Sequence, residues 1–127
     1  NVDTRLKKLD AGQYDGIVLA LAGLNRLSIH RNDFRVLSIE TCIPACGQGA
    51  LGIQCAIDNH GVIDALQKIH HVETELCVNE ERRFLSLLGG GCHLAAAAHV
   101  WCDSGEMHGI AMFQDPEGNC IGLWGTS

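Results

Sequence analysis

A cysteine that follows three glycines is the first residue in this chain whose setting could do chemistry. Cys92 closes the stretch "EERRFLSLLGGGC", in which a charged, leucine-bearing helix gives way to Gly89, Gly90 and Gly91. Cysteine is among the most buried residue types, so packing is its ordinary use. Three glycines change that reading, because they let the backbone approach something bulky and present the sulfur on a loop. The position also follows a helix C-terminus, where the dipole does nothing to favour a thiolate. It therefore fits an attachment point better than an acid-activated nucleophile. Two arginines come next. Arg5 lies in the first helix, and Arg26 follows "LALAGL", which places it at the carboxyl end of an expected strand, the edge where open α/β sheets bind ligands. A guanidinium there suits a carboxylate bidentately, although solvated surface charge is the default use of arginine. In "PACGQGA", Gly47 and Gly49 flank Gln48 and would expose backbone N–H groups to an anionic or polar ligand. A phosphate loop is excluded, since its lysine and hydroxyl are missing.

The chain has seven cysteines, an odd number, and seven histidines. No cysteine pair has zinc-knuckle spacing, and Cys42 and Cys46 straddle Pro44 with no histidine pair at finger spacing, so no metal is expected. No export signal is visible and the chain begins "NVDTRLKKLDAG", which reads as a cut rather than a biological start. The thiols are accordingly expected to be mostly reduced and the protein cytoplasmic. A formal net charge of -6 disfavours a nucleic-acid surface, which requires clustered Lys and Arg. The longest apolar run, Gly16 to Leu24, is far below the roughly 18 residues of a membrane span.

These residues need elements to position them. Val2 to Ala11 reads as a helix ending at Gly12, "YDGIVLA" as a strand buried on both faces, "AGLNRLSI" as a short helical segment, and "FRVLSIE" as a strand. The Pro- and Gly-rich loop after Cys42 would feed a strand over Ala50 to Ile57. Asn59 can cap a helix with Ile63, Leu66 and Ile69 on one face. Thr74 to Leu88 is the second strong helix, with Leu76, Phe84, Leu85 and Leu88 inward. Three strands follow, Leu94 to Cys102, Met107 to Gln114 and Cys120 to Trp124, joined by turns at "DSGE" and "DPEGN". The expected fold is thus parallel α/β followed by an α+β part, a helix with a three-stranded antiparallel meander.

Taken together and in order, "NVDTRLKKLDAGQYDGIVLALAGLNRL", "IPACGQGALGIQC", "HHVET" and "EERRFLSLLGGGC" resemble the porphobilinogen deaminase (hydroxymethylbilane synthase) family over essentially the whole chain. The resemblance implies that Cys92 carries a dipyrromethane cofactor through a thioether. Arg5 and Arg26 match arginines that bind acetate and propionate carboxylates, and Gln48 and Gly49 match the loop that contacts the cofactor. It further implies a substrate, porphobilinogen, four molecules of which condense with loss of ammonia to 1-hydroxymethylbilane. The full-length parent would be a cytoplasmic monomer that binds neither nucleic acid nor membrane. The family's catalytic aspartate belongs to an upstream domain and matches no position here, so no catalytic residue is assigned. On this resemblance the α/β part belongs to doubly wound, periplasmic-binding-protein-like domains, and the α+β part has a three-stranded antiparallel sheet with helices on one face. Residues 1–49 are the end of domain 2, residues 50–69 a return segment of domain 1, and residues 70–127 a domain 3 that carries the cysteine and is truncated. The chain departs from the family after the cysteine, reading "CHLAAAAH" where a proline is usual, which leaves that backbone less constrained. The rival readings are a non-catalytic anion-binding α/β module or a degenerate paralogue. A binding module has no need of the Gly-Gly-Gly-Cys thiol.

Overall fold

The structure, a computed structural model, describes residues 1–89 and 95–126. Cys92 lies outside the described residues. The chain divides into two compact units, Asn1–Leu37 and Ser38–Ser127.

The first unit holds two helices. Helix α1 spans Val2–Asp10 and is capped by Asn1, whose side chain accepts from the Asp3 amide at 3.0 Å. Lys7 and Lys8 sit in its last turn, favourable at the negative end of the helix dipole, and Gly12 with φ +68° ends it in the left-handed region. Helix α2 is a short Leu21–Arg26 segment. A guanidinium fork ties the end of α1 to the loop after α2: Arg31 donates to Asp10 at 2.8 and 3.2 Å and to Asp33 at 2.8 and 2.6 Å. Its hydrogen bonds to Arg31 hold the Asp33 carboxyl below its ordinary 3.8. A carboxyl with a depressed folded-state pKa stabilises the fold above its unfolded value and loses that contribution as pH falls through the folded one. A carbon-detected NMR titration should therefore place the Asp33 midpoint below 3.8, and Arg31→Ala should return it towards that value. A midpoint unmoved by the substitution would show that the fork does not form in solution.

The second unit is helix plus antiparallel sheet. Helix α3 covers His60–Gln67, with Asn59 accepting from the Val62 amide at 3.2 Å. Helix α4 covers Val72–Leu87. It starts two residues before the expected Thr74 because His71 is the cap: its Nδ1 accepts from the Thr74 amide at 3.2 Å. The strands are β1 Ala96–Asp103, β2 Glu106–Gln114 and β3 Cys120–Thr126, in sheet order β1-β2-β3 with antiparallel pairing throughout. Ser104 and Gly105, both at positive φ, make the two-residue hairpin turn whose twist suits β1 and β2. Asp115 closes the longer turn by accepting from the Asn119 amide at 2.7 Å.

Helix α4 packs on β1, the edge strand of the sheet. Its inward stripe runs through Cys77, Glu81, Phe84, Leu85 and Leu88, at helical spacing. The Phe84 ring meets Phe113 of β2 at 6.2 Å between centroids. Leu76, expected inward, is 48% exposed, because the stripe is centred one residue later on Cys77.

The α+β part of the expected fold is thus present, whereas the doubly wound α/β layer is not formed among the described residues. The runs Tyr14 to Ala20, Phe34 to Glu40 and Ala50 to Ile57 belong to no sheet, and Ile39, Glu40 and Ile57 lie in turns. β-branched composition favours a pleated, half-buried surface, yet a strand exists only when a neighbour takes its N–H and C=O groups. No described segment does so here, and Leu51 at 88% and Ile57 at 92% exposure show the same lack of cover on the side-chain side.

Candidate functional site

Two places bring the residues singled out in the sequence into a chemical setting, one in each unit. In the first, an open groove of about 530 Å³ is lined by α1 and by the extended run after it. Arg5 and Lys8, three residues apart on α1, share its wall with Thr4, and Tyr14 and Gly16 to Val18 line the other side. Two exposed cations beside hydroxyl groups suit a carboxylate. Arg5 was legible as a candidate; Lys8 and Tyr14 were not, although the spacing of Arg5 and Lys8 on one helix face was a usable signal.

Arg26 is not part of that groove. It occupies the last turn of α2, exposed, inside the segment expected to be helical, but the run before it forms no strand among the described residues, so Arg26 does not stand at a strand's carboxyl end. Arg5 and Arg26 are therefore not brought together around one described cavity.

In the second unit, the loop containing Gln48 and Gly49 is held from below by a side chain that the sequence reading passed over. Glu81 on α4 is only 4% exposed. One carboxylate oxygen accepts from the Gly47 amide at 2.6 Å, and the other accepts from the Val100 amide of edge strand β1 at 2.9 Å. His99 Nδ1 stands 3.4 Å from the second oxygen, an ion pair when the imidazole is protonated. One carboxylate thus joins a loop, a helix and a sheet edge. The signal was present: an acid four residues after Cys77, inside the apolar stripe of α4, is too costly to bury unless it is hydrogen-bonded.

The loop itself is a tight turn, with Gln48 N–H donating to the Ala45 carbonyl at 2.9 Å. Gly47 and Gly49 have φ of +75° and +93°, the left-handed region that disfavours any Cβ. A Cβ at Gly47 would meet Val78 Cγ1 of α4 at 3.7 Å, an ordinary van der Waals contact, so backbone conformation and not space selects glycine there. The amides of Gly47 and Gln48 are consequently used internally, which corrects the expectation that this loop offers them to a ligand. Gln48 and Gly49 are exposed, and the Gly49 N–H donates to no described residue. Beside the loop, burial first and the Glu81 carboxylate second push the Cys46 thiol above its ordinary range. Among the described residues no three His, Cys, Asp or Glu side chains converge as a metal site requires, and no helix is long and apolar enough to cross a membrane.

Residues 1–64 match the family model described as "Porphobilinogen deaminase, dipyromethane cofactor binding domain". The chain belongs to the porphobilinogen deaminase family. It is 44% identical over 119 residues to a porphobilinogen deaminase of Ralstonia nicotianae, covering 93% of this chain and 36% of that protein. Porphobilinogen deaminases of Sorangium cellulosum and Coxiella burnetii are each 42% identical, over 94% and 95% of this chain and 40% and 39% of theirs. The chain therefore spans about two fifths of the length of these relatives. The matched family segment contains the groove of Arg5 and Lys8, Arg26, and the loop that Glu81 holds.

Proposed function

We propose that this chain supplies the primer-holding part of a hydroxymethylbilane synthase, a transferase that condenses four porphobilinogens stepwise into 1-hydroxymethylbilane with release of ammonia. The observation that carries the reading is the dicationic groove at Arg5 inside a segment matching the family's cofactor-binding domain. Each pyrrole of a dipyrromethane or of the growing chain carries an acetate and a propionate. An acidic protein must meet these with locally fixed cations, and Arg5 with Lys8 fits that donor set. When bound, the dipyrromethane supplies the pyrrole carbon on which the chain is built. The protein's own residues hold it. Cys92 is the thioether anchor, Arg5, Lys8 and Arg26 bind carboxylates, and Gln48 and Gly49 present the exposed tip of the loop pinned by Glu81.

In this reading residues 1–49 belong to the family's domain 2, residues 50–69 to domain 1 and residues 70–127 to domain 3. The extended runs in the first two stretches take their strand neighbours from the remainder of a full-length, doubly wound arrangement. The catalytic carboxylate, an aspartate of that remainder, stabilises the cationic stage reached when ammonia leaves and the next pyrrole attacks. The parent protein is read as a cytoplasmic monomer.

Porphobilinogen itself is the test ligand for the groove. Titrated into the isotopically labelled chain, it should shift the amides of α1 and of residues 14–18. Arg5→Leu should weaken that binding by roughly 10- to 100-fold, the equivalent of one charge-assisted hydrogen bond at about 1.5–3 kcal/mol. Arg5→Lys should restore part of the loss, since an ammonium keeps the charge without the fork. Shifts confined to other regions, or unchanged by Arg5→Leu, would remove the groove from the site.

A further inference from the structure

Two cysteines that the proposed function leaves unused face each other where α4 packs on β1. Cys77 lies on the inward stripe of α4, one turn before Glu81, and Cys102 lies near the end of β1. Their sulfur atoms are 3.7 Å apart. A disulfide bond is about 2.05 Å long. The difference is within the reach of small rotations of two side chains, without sliding the helix along the strand. Cys77 is buried and Cys102 half-buried, so a solute reaches Cys102 first.

We propose that Cys77 and Cys102 are a redox-responsive pair that closes to a disulfide under an oxidant of the glutathione-disulfide class, stapling α4 to β1. The ring so closed contains residues 78–101, Cys92 among them. The staple therefore constrains the two elements that flank the expected cofactor anchor. It does not depend on that anchor being correct.

The steps balance by thiol–disulfide exchange. Cys102 gives its proton to water, and its thiolate attacks glutathione disulfide. The glutathione S–S bond breaks, one glutathione leaves as a thiolate that takes up a proton, and Cys102 carries the other. Cys77 then gives its proton to water and attacks the Cys102 sulfur, forming the protein disulfide and expelling the second glutathione as a thiol. Two protein thiols are oxidised and one glutathione disulfide is reduced. Burial first, then the facing Cys102 sulfur and the Glu73 and Glu81 carboxylates, push the Cys77 thiol up to about 11. Cys77 consequently rests as a thiol near neutrality, and the second step quickens as pH rises.

The experiment equilibrates the full chain, at mildly alkaline pH, across a series of reduced-to-oxidised glutathione ratios, then quenches with acid, alkylates and maps peptides by mass spectrometry. The expected result is a peptide pair joined through Cys77 and Cys102, an intact mass lower by two hydrogens, and a thermal midpoint raised by on the order of 10 °C. Cys102→Ser should abolish the joined peptide. The proposal is overturned if both cysteines remain open to alkylation at the most oxidising ratio, if glutathione stays on Cys102 unresolved, or if either sulfur joins a different cysteine. Because the mapping is done on the unaltered chain, a variant that failed to fold would not blunt it.

Discussion

Replacing Cys92 by serine or by alanine is expected to reduce to background the turnover of a complete hydroxymethylbilane synthase that carries this segment, while leaving it folded. The two substitutions differ in what they do to a packed thiol and agree in what they do to a tether. If the sulfur only fills space, serine buries a hydroxyl at about 1–3 kcal/mol, alanine is milder, and activity survives in both. If the sulfur anchors the primer, neither replacement can form the thioether, and both proteins lose activity with their circular dichroism intact. Intact-protein mass spectrometry reads the same distinction without kinetics: the unaltered parent carries the mass of a dipyrromethane and both variants lack it. An adduct that persists after Cys92 is replaced would refute the attachment site. The isolated chain, without the family's catalytic aspartate, should carry no adduct of its own.

The parts of this fold that were legible in the sequence are those whose stability is local. Asn59 announced its helix because a cap is made within three residues, and the antiparallel meander announced itself because each strand's neighbour is the next one along. Where the outcome depended on a distant partner, local signals misled. The run "YDGIVLA" has the composition of a doubly buried strand, but composition supplies no hydrogen-bonding neighbour, and Arg26 lost its expected place at a strand end for that reason. The start of α4 was missed by two residues for a chemical reason: an imidazole caps through Nδ1, and histidine is not among the usual capping residues.

The candidate site divides along the same line. Arg5 was identifiable from its motif and the structure sets it in a groove, whereas the loop of Gln48 and Gly49 was read as a donor of free amides and proves to be mostly self-satisfied. The residue that organises the loop is 34 positions away in sequence. No windowed reading of "PACGQGA" can find Glu81; only the oddity of an acid in an apolar helical stripe points to it.

Substitution of that acid is therefore the stronger test of the second unit. Glu81→Ala removes the acceptor of two amides, Gly47 and Val100, in a place where the carboxylate is nearly sealed from water. Each buried donor left without a partner costs about 1–3 kcal/mol, so a total loss of about 3–5 kcal/mol is expected, a large share of a small domain's stability. Glu81→Gln is the sharper variant, since it keeps the shape and exchanges one acceptor oxygen for an NH₂. One backbone N–H can still donate to the remaining oxygen, but the other then faces a second donor. Its expected cost is accordingly about 1.5–3 kcal/mol, measured as a lower urea midpoint at unchanged slope. Glu81→Asp should resemble Ala more than Gln, because a side chain shorter by one methylene cannot span from α4 to both the loop and the strand. Native-state hydrogen exchange localises the effect: protection should fall at Gly47 and Val100 before it falls elsewhere in β1. Loss of the Gly47 contact also frees the turn that presents Gln48 and Gly49, so in a complete enzyme the Gln variant should slow growth of the pyrrole chain while Cys92 remains modified. Unchanged exchange at both amides, with a urea midpoint within error of the parent, would mean that the carboxylate does not bridge loop and strand in solution.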